Sequence, residues 1–81
     1  MRLNETVEMM NNEDYKERFR AEYLQLKIRL DGLKQMLYKY HANILPFTPS
    51  CSIALLTAQC NTMEAYLYLL EQRAIIENIK L

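Results

Sequence analysis

The sequence predicts an all-α fold: an antiparallel hairpin of two long helices with a short N-terminal helix or arm, assembling into a homo-oligomer. Three observations predict it. Apolar residues recur in steps of three and four along two stretches of matching length, which is the spacing of helices packed lengthwise on one another. A short segment holding both prolines separates the stretches, so the two helices return antiparallel. Finally, 51% of the 81 residues are hydrophobic, more than a hairpin with one seam and two outward backs can hide, which calls for further burial between copies. A chain of this length holds one domain at most.

Residues 1–12 read as the arm or short helix. Asn4 can cap a turn carrying Val7, Met9 and Met10, but nothing sustains it. Residues 13–81 form the hairpin domain, with helices over about 13–41 and 51–77. Asn11 or Asn12 is the expected cap of the first, with Glu13 and Asp14 in its first turn, where the macrodipole favours acids. Its seam is Phe19, Tyr23, Leu26, Leu30, Leu33, Leu37 and Tyr40. Gly32 interrupts this helix at a cost of about 1 kcal/mol against alanine, and close approach of another backbone is the expected reason. Asn43 to Ser50 is an apolar connection expected to fold back over the hairpin's end. Ser50 is the expected cap of the second helix, whose seam is Ile53, Leu56, Cys60, Met63, Leu67, Leu70 and Ala74. Leu55, Ala58, Thr62, Leu69 and Ile76 make a second apolar band, the surface expected to meet another copy. The helix is expected to fray near Asn78, leaving Ile79 and Leu81 as a tail.

Ten Lys and Arg balance ten Asp and Glu, which argues against polymeric nucleic acid or an anionic membrane surface as partner. The balance conceals a gradient. Residues 15–40 hold seven Lys or Arg against three acids, so the positive charge belongs to the first long helix. At about 100° per residue, Lys16, Arg20, Lys27 and Lys34 fall within about 40° of each other beside the seam, with Tyr38 in the same strip. Such a strip is either a solvated face, with Glu17, Glu22 and Asp31 as local partners, or an anion site walled in by a second protomer. Tyr15, at the helix start, Tyr23 and Tyr38 offer rings that can stack on an unpaired base, although Tyr23 and Tyr40 are better read as core. Arg73 can reach across an interface or pair with Glu77 one turn on.

Other chemistry is poorly supported. There is no nucleophile paired with an oriented base, no Gly-rich phosphate loop and no carboxylate cluster at metal-binding spacing, so no enzyme is expected. His41 suits the end of a helix, where a cation is favoured. Cys51 and Cys60, with a single histidine in the chain, give no zinc ligand set and are poorly placed to bridge each other, so neither metal nor cofactor is expected. No apolar run reaches membrane-spanning length and no signal-peptide pattern opens the chain, which favours a cytoplasmic location and no membrane partner.

Scattered helical positions carry a resemblance. The run Tyr15-Lys16-Glu17-Arg18-Phe19, then Glu22-Tyr23, Leu26-Lys27, Arg29, Leu33 and Met36-Leu37, is followed by Phe47-Thr48-Pro49, Leu55-Leu56, Gln59, Met63, Tyr66-Leu67, Leu70-Glu71 and Arg73. Over about residues 14–81 this resembles a group of small proteins of crAss-like and other tailed phages, similar in turn to the anti-CBASS cyclic-nucleotide sponges. The resemblance implies a symmetric helical oligomer, a hexamer in the sponges, whose pockets between protomers hold cyclic di- or trinucleotide immune signals without cleaving them. It implies action in the cytoplasm of an infected bacterial host. A tyrosine near the start of the long helix and a lysine further along serve the sponges' cyclic dinucleotide site; Tyr15 and Lys27 match in type and order, with Arg18 and Arg20 beside them. The expected ligand-binding residues are therefore Tyr15, Arg18, Arg20, Tyr23, Lys27 and Arg73. Two other functions fit the same surface: a protein-binding inhibitor of a host factor, and a structural phage assembly protein.

Overall fold

The computed structural model describes residues 2–81. A 3-10 turn, Leu3–Thr6, runs into one α-helical turn, Val7–Met10 (α1); the two long helices are Tyr15–His41 (α2) and Ile53–Ile76 (α3), and there is no strand among the described residues. The N-terminal segment, expected as an arm or short helix, lies along its own α2. Fully buried Thr6 holds it there, donating to the Leu3 carbonyl at 2.6 Å and accepting from the Gln25 amide at 2.9 Å.

The caps fall on other residues than expected. Asp14, not Asn11 or Asn12, caps α2 by accepting the Lys16 N–H at 3.0 Å. Asn12 forms a turn one step earlier, accepting the Asp14 N–H at 2.9 Å, which leaves the charged carboxylate at the positive end of the dipole. At the other end Asn43 takes a left-handed φ of 59°, with Asn43 N–H bonding the Tyr40 carbonyl and Ile44 N–H the Lys39 carbonyl, each at 3.0 Å. This is a Schellman cap, so Asn43 rather than His41 caps the helix, whose last residue is His41. Ser52 rather than Ser50 caps α3, its hydroxyl accepting the Leu55 N–H at 3.2 Å.

Instead of fraying, α3 closes with a second cap of the same kind: Asn78 has φ 56° and Ile79 N–H bonds the Ala74 carbonyl at 2.8 Å. The turn swings Ile79 into the core, where it is buried with Phe19, Tyr23, Leu70 and Ala74. A second cluster, Leu30, Leu37 and Cys60, is packed about by Leu33, Met36, Ile53, Leu56 and Met63, with Leu67 joining both clusters. These are the two seams interlocked. Tyr40 is the exception: the seam runs off the hairpin's end there, and its ring stands exposed, edge-on to His41 at 5.5 Å.

The molecule measures 43 × 25 × 17 Å, about one layer of helices in its thinnest direction. Consequently the second band of α3, Leu55, Ala58, Thr62, Leu69 and Ile76, is exposed along its whole length. The connecting loop folds back against α2, with Leu45, Pro46 and Phe47 forming one wall of a cleft whose other wall is Gly32, Gln35, Met36 and Lys39. Even so, nothing lies within 4 Å of a Cβ built on Gly32 and its φ is not positive, so no backbone approach requires glycine there. Gly32→Ala is therefore expected to stabilise the chain by about 0.4–1 kcal/mol, through helix propensity and a less flexible unfolded chain. Urea unfolding followed by circular dichroism reads this directly.

Candidate functional site

Two contacts across the hairpin separate its flanks. The Lys34 ammonium meets the Glu64 carboxylate at 2.8 Å on one side, and the Tyr66 hydroxyl donates to the Glu22 carboxylate on the other. Glu64 and Tyr66 are two residues apart on α3 and so point to opposite sides of the helix.

The Lys34 flank carries the basic strip. Glu64 holds the Lys34 ammonium above its ordinary value, chiefly by the hydrogen bond, so the two charges offset each other. Arg20 pairs with Glu17, and its Nε donates to the Lys80 carbonyl, clipping the turned C-terminal segment against α2. Lys16 and Lys27 form no ion pair among the described residues; Lys16 is half-buried and Lys27 exposed. Tyr38 projects from the same strip, 78% exposed. Half the cations are thus already neutralised inside the protomer, and Lys16 and Lys27, eleven residues and about 16 Å apart along the axis, hold the unbalanced charge.

The Glu22 flank carries the remaining candidates. Arg18 donates to the carbonyls of Asn12 and Glu13 at 2.8 and 2.7 Å, closing the loop before α2, and with Met10, Glu22 and Gln25 it lines an open cleft of about 240 Å³. Arg73 pairs with Glu77 at 2.9 Å, the local alternative of its two expected roles, and its guanidinium lies 4.9 Å from the centre of the Phe19 ring. The hydrogen bond to Glu77 raises its pKa first, with Glu77, Glu22 and Tyr15 adding to the favourable field. Tyr15 is half exposed, whereas Tyr23 is a core residue.

One protomer therefore does not bring Tyr15 and Lys27 together. They are twelve residues apart, about 18 Å along α2, and about 120° apart around it. A small ligand can touch both only where two copies supply them. Glu64 was not singled out by sequence, and Glu22 was read as a local partner of the α2 cations rather than of Tyr66; these two acids clip the hairpin on either side. Both depend on the register between α2 and α3, and nothing local to either residue signals that.

Among the described residues no group of His, Cys, Asp and Glu is placed to hold a metal ion, both cysteines are unbridged, and no helix is long and apolar enough to cross a membrane. What this surface presents is charge and ring faces. A family model described as Sequestin matches residues 13–76. No curated protein and no solved structure matches the chain. The matched span takes in α2, the loop and α3 in full, well over half of the residues, and the chain belongs to the Sequestin family.

Proposed function

We propose that the chain is a phage anti-defence sponge that sequesters a cyclic (oligo)nucleotide immune signal in the host cytoplasm, without cleaving it, in pockets between copies of itself. Membership of a family named for sequestration supports a binding role. The observation that carries the ligand class is the unbalanced charge at Lys16 and Lys27, on a flank whose other cations are already paired. Phosphate is the natural counter-ion for such lysines at a partly desolvated interface, and an exposed tyrosine ring such as Tyr15 or Tyr38 suits a base. The 18 Å separation of Tyr15 from Lys27 supports a pocket shared between protomers rather than one within a single hairpin.

A thermal-shift screen of cyclic mono-, di- and trinucleotides tests this reading. A ligand at a hundred times its Kd adds about 2.7 kcal/mol, which for a domain of this size raises the melting temperature by about 10 °C or more. Lys27→Ala removes a charge-assisted contact and is expected to weaken binding about 10- to 100-fold, with Tyr15→Ala weakening it as well. If the two residues come from different copies, mixed oligomers of the two variants regain about a quarter of the sites. No shift with any nucleotide overturns the proposal; no recovery on mixing overturns the shared pocket alone.

A further inference from the structure

The exposed band of α3 has the spacing of a packing seam. With Ala65 and Gln72 included, Leu55, Ala58, Thr62, Ala65, Leu69, Gln72 and Ile76 recur in steps of three, four, three, four, three and four, all exposed and none charged. Each member of the row follows a seam residue by two positions, so on a helix the row stands about 160° from the seam that packs on α2, and the hairpin cannot cover it. A stable domain needs two packed layers, and the protomer provides one, 17 Å in its thinnest direction.

We propose that this row packs against the same row of a second copy, with the two α3 helices antiparallel across a twofold axis. Shape favours that arrangement. Past Leu55 at its start, the N-terminal half holds small residues, Ala58, Thr62 and Ala65, while Leu69 and Ile76 lie in the C-terminal half, so an antiparallel pair centred near Ala65 sets Ile76 beside the partner copy's row start. Antiparallel pairing sets Leu69 of each copy over the partner's Ala58–Ala65 stretch, where the backbones can approach closely. Charge favours it as well. Residues 51–63 carry no charge, whereas residues 64–77 carry Glu64, which Lys34 of α2 offsets, and Glu71 and Glu77 against Arg73, a net of −1 once that pair is counted. A parallel pair brings two negative halves together; the antiparallel pair faces each with an uncharged half. The row is self-complementary, as a twofold interface requires.

This interface deepens the self-assembly invoked above, but its test reads mass and proximity and needs no nucleotide. Sedimentation equilibrium of the wild type is expected to give an even multiple of 9.7 kDa, and Leu69→Lys, a change at an exposed site, to halve it. Independently, a short bis-maleimide is expected to cross-link Ala65→Cys in a Cys51→Ala background. It should not link wild-type copies through Cys51, which is exposed and lies beyond the ends of a helix about 36 Å long. A monomeric wild type, an unchanged mass for folded Leu69→Lys, or no product from Ala65→Cys overturns the interface. A Cys51-to-Cys51 product overturns the antiparallel orientation. Where these fail while a nucleotide still shifts the melting curve, the sponge reading survives without this seam.

Discussion

Replacing Leu30 with alanine is expected to lower stability by about 3–5 kcal/mol, the upper part of the range for truncating a buried leucine. Leu30 is 1% exposed and forms the middle of the cluster that joins the two long helices, with Leu37 and Cys60 beside it and Leu33, Met36, Leu56 and Met63 around it. Little can move in to fill the space. The side chain comes from the middle of a 27-residue helix, and its neighbours on α3 are held in register by the Lys34–Glu64 and Glu22–Tyr66 contacts on the two flanks. Domains of this length hold about 4–12 kcal/mol in total, so the loss takes a large share and the melting temperature falls by about 15 °C or more. Urea titration followed by circular dichroism at 222 nm measures it, with Leu33→Ala, at a half-buried site, expected to cost distinctly less. A loss below about 1 kcal/mol for Leu30→Ala contradicts a seam that works as a rigid contact.

Such a residue was legible because the helical repeat carries its own phase. Every predicted seam position of α3, from Ile53 to Ala74, lies on its buried or half-buried side, and the same holds for α2 as far as Leu37. Phase says nothing about what happens at an end. The two left-handed asparagines, Asn43 and Asn78, close their helices by backbone bonds that any polar loop residue could precede, so Ile79 read as tail and Tyr40 as core. Gly32 read as a point of contact because glycine in a helix normally marks one; here the helix tolerates the cost without it. For the basic strip, sequence located the flank but could not say which charges were already matched. Lys34 meets an acid thirty residues away, and Arg20 meets a carbonyl sixty residues away. Both pairings depend on how far α3 slides along α2, a quantity fixed by packing and by the length of the loop.

Ile79→Ala is expected to cost about 2–4 kcal/mol, although the residue lies beyond the end of the last helix. Its side chain is 6% exposed and fills the end of the Phe19, Tyr23, Leu70 and Ala74 cluster, so truncation leaves a gap under the first turns of α2. Leu81→Ala, at a half-exposed site two residues on, is expected to change stability by no more than about 0.5 kcal/mol. That contrast separates a packed turn from a greasy tail. The effect should also couple to the basic strip. Arg20 donates to the carbonyl of Lys80, the residue after Ile79, so releasing Ile79 frees the segment that Arg20 holds. A double-mutant cycle of Ile79→Ala with Arg20→Ala is therefore expected to show an interaction of about 0.5–2 kcal/mol. Strict additivity would mean that Arg20 is not engaged with the C-terminal segment and is available to a ligand. Strong coupling would mean that any ligand recruiting Arg20 must first compete with the segment around Lys80, leaving Lys16 and Lys27 as the cations of the strip open to a ligand without rearrangement.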